Sequence, residues 1–384
     1  MSRNRKFVGL IAVLLIFSFA LAGCGGGSST PAAPAANGGD NGLPEVKWTL
    51  QTGWSVGWLI HDMAIRVADD VRAMSGGKFD IEVLPAGAIV GSLEVMDACK
   101  AGTIDAYHSW TAYWVNQHPA APLFASVPMG MEPAAHMAWM YAGGGKEYQQ
   151  QMYDELQSNI KIFPCGITHP EVLVHSNKPV YVIEDFNSLK YRAPGWWGEI
   201  LRGVGVAVTL LPSPELYPSM EKGVIDAVEF NIPFVNKQMG FHEVSTFIGG
   251  PGMHQPTCNF ELGVNKKSWD ALPPEYQKML EFACVESSMW SWTLGSVEDI
   301  KVLREWNAPG SKWTLTKFSV EDQHEIRELS WNYIDKSVES NAMAKKAWQE
   351  YKDFFAAYSD YEWFLVPERP IVADADREFG SYKK

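Results

Sequence analysis

The sequence predicts an α/β protein of two lobes, with a ligand cleft between them and a long helix near the C-terminus. Three observations lead there. The chain has 384 residues, 46% hydrophobic and 20% charged, too apolar for disorder and long for a single core. Strand-like alternation and helix-like spacing take turns along it, the pattern of parallel βαβ units. Gly102-Thr-Ile-Asp-Ala106 returns as Gly223-Val-Ile-Asp-Ala227, a helix stop followed by a strand in each of two units.

Residues 1–23 read as an export signal. Arg3, Arg5 and Lys6 precede an apolar run over 7–22, shorter than the about 20 residues of a membrane span. Leu21-Ala22-Gly23 before Cys24 resembles a bacterial lipobox. The resemblance implies cleavage before Cys24 and acylation of its thiol, a stable anchor once two or more chains are attached. Residues 24–45 are mostly Gly, Ser, Pro, Ala and Asn and read as a flexible tether. The formal charge of −13 becomes more negative when Arg3, Arg5 and Lys6 leave with the signal. That balance argues against nucleic acid and against membrane contact other than the anchor. Cys99, Cys165, Cys258 and Cys284 form no CxxC pair, and buried free thiols are preferred to a disulfide.

In the body, residues 46–51 alternate as a strand. Ile60, Met63, Ala64, Val67, Ala68, Val71 and Met74 repeat at helical spacing up to Gly76-Gly77. Residues 79–84 form a strand, Ser92 caps a helix to Lys100, and 104–107 form a third strand. The second unit has strands at 172–174, 189–192, 206–211 and 225–230, with helices at 197–203 and from Pro214 to Gly223. Residues 273–292 and 296–306 are helical. Between 319 and 357 there is no Pro or Gly, which predicts one helix approaching about 40 residues and about 55–60 Å. Such a rod braces both lobes or pairs two chains into a homodimer. The lobes are assigned as 46–168 with 257–297, and 169–256 with 298–384.

Asp105 and Asp226 of the repeat are assigned to tying turns. Residues 107–113 and 229–234 follow the strands, at the carboxyl edge where open α/β sheets bind ligands. In Tyr191-Arg192-Ala193-Pro194-Gly195-Trp196-Trp197, Arg192 ends a strand among apolar neighbours. Its planar fork suits a bidentate carboxylate. Local sequence leaves open whether that carboxylate is a ligand's or an internal acid's.

From Val46 to about Ala283 the chain resembles the extracytoplasmic binding subunit of a TRAP (tripartite ATP-independent periplasmic) transporter. The likeness rests on Met74-Ser-Gly-Gly-Lys78, Leu84-Pro-Ala-Gly87, Ala101-Gly-Thr-Ile-Asp105, Pro128-Met-Gly-Met131, Arg192-Ala-Pro-Gly195, Pro214-Glu-Leu-Tyr217, Gly223-Val-Ile-Asp-Ala-Val-Glu229 and Val264-Asn-Lys266. Gly143-Gly-Gly145, Glu229-Phe230 with Pro233, and Pro251-Gly-Met-His254 are most similar to the branch binding 2-oxo and 2-hydroxy monocarboxylates with a cation. The resemblance implies a periplasmic-binding-protein fold, a small organic acid as ligand, membrane subunits as partners, no enzymatic activity and a periplasmic location.

It also implies Arg192 as carboxylate clamp and a cation, Na⁺ or Ca²⁺, held by Glu229, the main chain of Phe230, and positions 171 and 255. The family's Gln is Glu171 in this chain, and its Glu is Gln255, so the carboxylate count is unchanged. Either the shell rearranges around an oxygen-ligated cation, or no cation binds and Glu171 and Glu229 meet donors on another ligand. Two buried carboxylates beside one Arg and an anionic guest favour the cation. Trp110, Tyr113 and Trp196 are assigned to the ligand wall; Trp54, Trp58, Trp114 and Trp197 also fall on cleft loops. His169 and His254 flank the cleft, with no zinc-ligand spacing. The alternatives are the same fold binding a sugar acid or other polar solute, and a secreted hydrolase using Glu171 and Glu229. The latter lacks a GxSxG elbow, a metalloprotease helix and a phosphate loop.

Overall fold

A computed structural model describes residues 42–367. The expected signal, Cys24 and nearly all of the tether lie outside the described residues. The strands are β1 (Val46–Thr52), β2 (Phe79–Leu84), β3 (Ala106–Ser109), β4 (Ile160–Thr168), β5 (Val174–Ser176), β6 (Lys190–Arg192), β7 (Ala207–Thr209), β8 (Ala227–Val228), β9 (Phe247–Gly250), β10 (Cys258–Asn265) and β11 (Thr314–Lys317). The helices are α1 (Leu59–Met74), α2 (Val95–Ala101), α3 (Pro133–Ala142), α4 (Gly145–Glu155), α5 (Gly195–Gly203), α6 (Leu216–Glu221), α7 (Pro233–Gln238), α8 (Lys266–Asp270), α9 (Pro274–Trp306), α10 (Val320–Val338) and α11 (Ala342–Leu365).

The strands form two sheets. The first runs β2-β1-β3-β10-β4 and the second β11-β9-β5-β8-β6-β7. β1 is parallel to β2 and β3, whereas β10 lies antiparallel between β3 and β4. In the second sheet β6 is parallel to β7 and β8. The chain passes between the sheets from β4 to β5, back from β9 to β10, and a third time through α9. With 33 residues, α9 is about 50 Å long. Its Ser288 and Ser291 hydroxyls accept from the Gly166 and Ile167 N–H groups of β4, while Asp299 accepts from the Phe234 N–H at the start of α7.

The repeated pentapeptide is one device used twice. Gly102 and Gly223 adopt φ of +75° and +68°, the left-handed conformation that ends a helix. Asp105 then accepts from the Thr49 N–H at 2.9 Å, and Asp226 from the Lys190 N–H at 2.9 Å. Each Asp therefore clamps the adjacent parallel strand, β1 in one lobe and β6 in the other.

Several expectations are corrected. The rod over 319–357 is two helices, α10 and α11, separated by a turn. The Asn341 side chain accepts from the Ala344 N–H and starts the second helix, so a capping Asn makes the break without Pro or Gly. The expected start at Ser319 holds, with a capping box to Asp322. The hairpin lets α11 fold back on the first lobe, where Trp348 and Tyr351 join a core with Trp139 and Phe124; the last helix is thus not part of the second lobe. Residues 273–306 make one helix rather than two. The strand expected at 172–174 lies at Val174–Ser176, and that at 225–230 shortens to Ala227–Val228, because the chain turns into the cleft at Glu229. The thiols of Cys99, Cys165, Cys258 and Cys284 are buried and free. Among the described residues no helix is long and apolar enough to cross a membrane.

Candidate functional site

Two of the three crossing segments carry polar side chains into the same place. Residues 169–173 bring Glu171 and residues 251–257 bring His254 and Gln255. The segments are joined where the Glu171 N–H donates to the Gln255 carbonyl at 3.1 Å. Gly252 makes that approach possible, since a Cβ there would lie 2.4 Å from the Glu171 carbonyl oxygen. β6 and β8 supply Arg192 and, just beyond the strand end, Glu229, paired through the Glu229 N–H to the Arg192 carbonyl at 3.1 Å.

Arg192, Glu171, Glu229, His254 and Gln255 are all buried. Arg192 Nη1 donates to the Glu229 main-chain carbonyl at 2.8 Å and stands 3.5 Å from Glu229 Oε2. Its charge lies 5.5 Å from the Phe230 ring centre, a cation–π distance. Arg192 Nε has no hydrogen-bond partner. An internal acid thus stands beside the guanidinium without engaging it as a bidentate pair, and the group faces the cleft rather than bulk water.

The carboxylates are similarly half-used. Glu171 Oε1 accepts from Asn231 Nδ2 at 2.9 Å, and Glu229 Oε1 from Gln255 Nε2 at 2.7 Å. Glu171 Oε2, Glu229 Oε2 and both ring nitrogens of His254 lack hydrogen-bond partners. His254 Nε2 is 3.6 Å from Glu229 Oε1 and 4.0 Å from Glu171 Oε2. One ligand atom from each of Glu171, Glu229 and His254 falls within 4.8 Å of the others. Burial first, then the Glu229 charge, holds the Glu171 carboxyl well above the usual range. Buried carboxylate oxygens without donors are the environment that a cation relieves, and a donor set rich in oxygen fits a hard ion such as Na⁺ or Ca²⁺.

The narrow cleft above these groups is lined by Trp54, Trp110 and Tyr113 from the first lobe and by Arg192, Glu229, Phe230, Asn231 and Gln255 opposite, with Cys258 and Phe260 also lining it. Tyr113 shares this cleft with Arg192, and burial pushes the phenol up to about 12 against the opposing pull of that guanidinium. Gly195, with φ of +62°, opens α5 and lets the Trp110 ring approach; a Cβ there would be 3.3 Å from it. Trp54 donates from Nε1 to His108 Nδ1 at 2.9 Å, which fixes its indole over the cleft, edge-on to Phe230 and Phe260.

Of the residues expected at the site, Arg192, Glu229, Phe230, Gln255, Trp110 and Tyr113 line this cleft. Glu171 lies behind it, against Asn231. Trp196 does not line it: the ring is buried in the core of the first lobe, 6.2 Å from Trp348. Its neighbour Trp197, one residue on and so rotated by about 100° on the helix, lies 5.9 Å from His254. Asn231 and Phe260 escaped the sequence reading. Asn231 sits two residues after Glu229, and its signal is its partner Asn236, which closes the turn by accepting from the Asn231 N–H at 3.1 Å and donating to its carbonyl at 2.8 Å.

Residues 51–341 match the family model described as bacterial extracellular solute-binding protein, family 7. A monocarboxylate 2-oxoacid-binding periplasmic protein of a Nostoc species is 31% identical over 315 residues, covering 82% of this chain and 85% of that one. A TRAP transporter solute-binding protein of Bordetella bronchiseptica, solved with copurified calcium and picolinate as a mixed-occupancy dimer, superimposes with a TM-score of 0.80 at 28% identity, covering 84% of this chain and 95% of that one. One from Pseudoalteromonas atlantica with bound sodium and pyruvate gives 0.79 at 27% identity, over 84% and 97%. The chain belongs to family 7 of the bacterial extracellular solute-binding proteins, the receptors of TRAP transporters, which capture their solutes outside the cytoplasm.

Proposed function

We propose that this receptor captures a small 2-oxo or 2-hydroxy monocarboxylate together with a Na⁺ or Ca²⁺ ion and delivers it to the membrane subunits of a TRAP transporter. The observation that carries the reading is a buried guanidinium with an unpartnered Nε, facing two buried carboxylates that each keep one oxygen without a donor. Arg192 receives the ligand carboxylate as a charge-assisted pair. Glu171 and Glu229, with the Phe230 main chain and Gln255, hold the cation, which offsets the negative charge the acid adds. Trp110 and Tyr113 cover the apolar end. The lobes, 46–168 with 257–297 and α11, and 169–256 with the segment from 298 through α10, close by a hinge at the crossing segments. The relatives bind pyruvate with sodium and picolinate with calcium, which supports an acid and an ion taken up together.

The same reading places a lipid anchor at Cys24, so that the tether leaves the receptor within reach of the membrane subunits. It also makes the exposed end of α11, with Trp363 and Phe364 uncovered, the contact of a homodimer. The deciding experiment is calorimetry with pyruvate on protein stripped by chelation and refolding. Heat of binding with Ca²⁺ or Na⁺ present, and none without either, is the expected result. Equal binding in both conditions removes the cation from the reading, and no binding of any 2-oxo or 2-hydroxy acid removes the substrate class.

A further inference from the structure

Outside the proposed ligand shell the first lobe buries a second carboxylate. Glu261, midway along β10, is fully buried. Its Oε1 accepts from the Tyr107 hydroxyl at 2.9 Å, the Tyr153 hydroxyl at 2.6 Å and Trp114 Nε1 at 3.0 Å. Its Oε2 accepts from the Thr111 hydroxyl and from Gln149 Nε2 at 3.1 Å. Buried carboxylates are normally paired with a cation. Neutral donors from β3, α4 and the turn after β3 hold this one instead; burial raises the Glu261 carboxyl above its ordinary value, and these hydrogen bonds pull against that rise. The ring is tightly built: a Cβ on Gly263 would lie 2.0 Å from the Tyr107 ring.

Two of those donors, Thr111 and Trp114, are the first and last residues of the single turn Thr111–Trp114. Tyr113 lies on that turn and is left out of the network. It lines the cleft together with Arg192 of the opposite lobe and packs edge-on against Trp110 at 5.3 Å. Pinned on both sides by one carboxylate, the turn can present Tyr113 in only one way. We infer that Glu261 is a positioning residue for ligand capture: it never touches the ligand, but fixes the turn 111–114 so that Tyr113 meets Arg192 and the bound acid across the cleft. The inference rests on the ligand reading given above for that cleft.

Glu261→Gln tests it. The substitution keeps the shape and turns one acceptor oxygen into an NH₂ group facing donors. In ligand-free protein, amide hydrogen exchange at 111–115 is expected to accelerate at least about tenfold while β1 stays protected, because protection against local opening is lost from one segment and not from the sheet. Unchanged exchange at 111–115 overturns the inference whatever the ligand is. With pyruvate and Ca²⁺ as probe, Glu261→Gln is expected to weaken binding by at least about tenfold in the wild-type background and by less than about twofold in a Tyr113→Phe background. Equal losses in both backgrounds overturn it, since a general loss of stability would act on both alike. A wild-type chain that takes up no 2-oxo or 2-hydroxy acid refutes the reading of the cleft, and exchange at 111–115 still decides whether Glu261 holds the turn.

Discussion

Replacing Arg192 by Lys keeps the positive charge at the end of β6 and removes the fork. Arg192 spends Nη1 on the Glu229 carbonyl at 2.8 Å and Nη2 on a long contact to the Leu211 carbonyl at 3.5 Å, which leaves Nε unpartnered and an Nη2 bond weak enough to yield to a guest. A Lys ammonium must choose between that carbonyl and the ligand, or share itself between them with neither bond straight. A hydrogen bond to a charged group contributes about 1.5–3 kcal/mol. Losing one of the two bonds of a bidentate clamp therefore weakens binding by about 10- to 150-fold at 1.4 kcal/mol per tenfold. Isothermal calorimetry with pyruvate and Ca²⁺ measures it directly, with far-UV circular dichroism and a melting curve as controls on the fold. Arg192→Ala should go further and abolish measurable heat, because the anionic guest would then be buried beside Glu229 with no cationic side chain hydrogen-bonded to it. An affinity within about threefold of wild type for Arg192→Lys would mean that the carboxylate is held elsewhere, and the clamp assignment would be wrong.

Three further outcomes are expected. Glu171→Gln should weaken cation-dependent binding by at least about tenfold, and adding Gln255→Glu to it should restore most of the loss by moving the carboxylate to the other crossing segment; a double variant no better than the single one would refute the shared role, as calorimetry with Ca²⁺ would show. Trp196→Ala should lower stability by about 3–5 kcal/mol, the cost of emptying a large core site, while pyruvate affinity in the surviving fold changes by less than about twofold; a large selective loss of affinity would put Trp196 back at the ligand wall. Burial lowers the buried imidazoles of His136 and His175 to about 4 and about 3, so below their unfolded value near pH 6.5 the unfolded chain takes up protons that the native chain refuses. Their contribution to stability is complete above about pH 6.5 and is lost as pH falls toward 4 and 3; melting temperatures across that window should fall less steeply in His136→Gln than in wild type, and parallel curves would remove His136 from the account.

Legibility followed the range of the interaction responsible. The two Gly-x-Ile-Asp-Ala segments were readable because the helix stop is local, a left-handed Gly; the strand that each Asp clamps, β1 or β6, is set by the fold. Arg192 could be placed at an apolar strand end from local sequence, but whether it meets a ligand or an internal acid could not, and its role as clamp came only from the resemblance. The break at Glu339–Asn341 was not, since a capping Asn ends one helix and starts another without the Pro or Gly that usually announces a stop. α3 and α4 escaped notice because the first is apolar almost all round and the second mostly polar, so neither shows a clean stripe until Trp139 and Tyr153 are seen in the core. β10 gains its place from two antiparallel partners far away in sequence. Trp196 and Trp197 are indistinguishable as neighbours in sequence, and only tertiary packing sends the first ring into the core with α11 and the second into the core of the other lobe, beside His254.

The placement of the polar groups on the crossing segments has a consequence for how capture and closure are linked. A clamp built wholly within one lobe could bind its guest with the cleft open, and closing would add only apolar cover. In this chain Glu171 and Gln255 sit on the two segments that run between the sheets, joined to each other by a main-chain hydrogen bond. Any hinge rotation about residues 169–173 and 251–257 must therefore move Glu171 and Gln255, two of the groups proposed to hold the cation, relative to Arg192 and Glu229, which are fixed to β6 and β8. On the proposed reading the cation shell is complete in only one lobe arrangement. A ligand shifts a conformational equilibrium only by its difference in affinity between the two states, and an ion whose donors converge only on closure supplies that difference. The acid alone, meeting Arg192 in either arrangement, would supply less. Small-angle scattering should accordingly show compaction when pyruvate and Ca²⁺ are added together and little with pyruvate alone; full compaction with the acid in the presence of chelator would break the link between ion and closure.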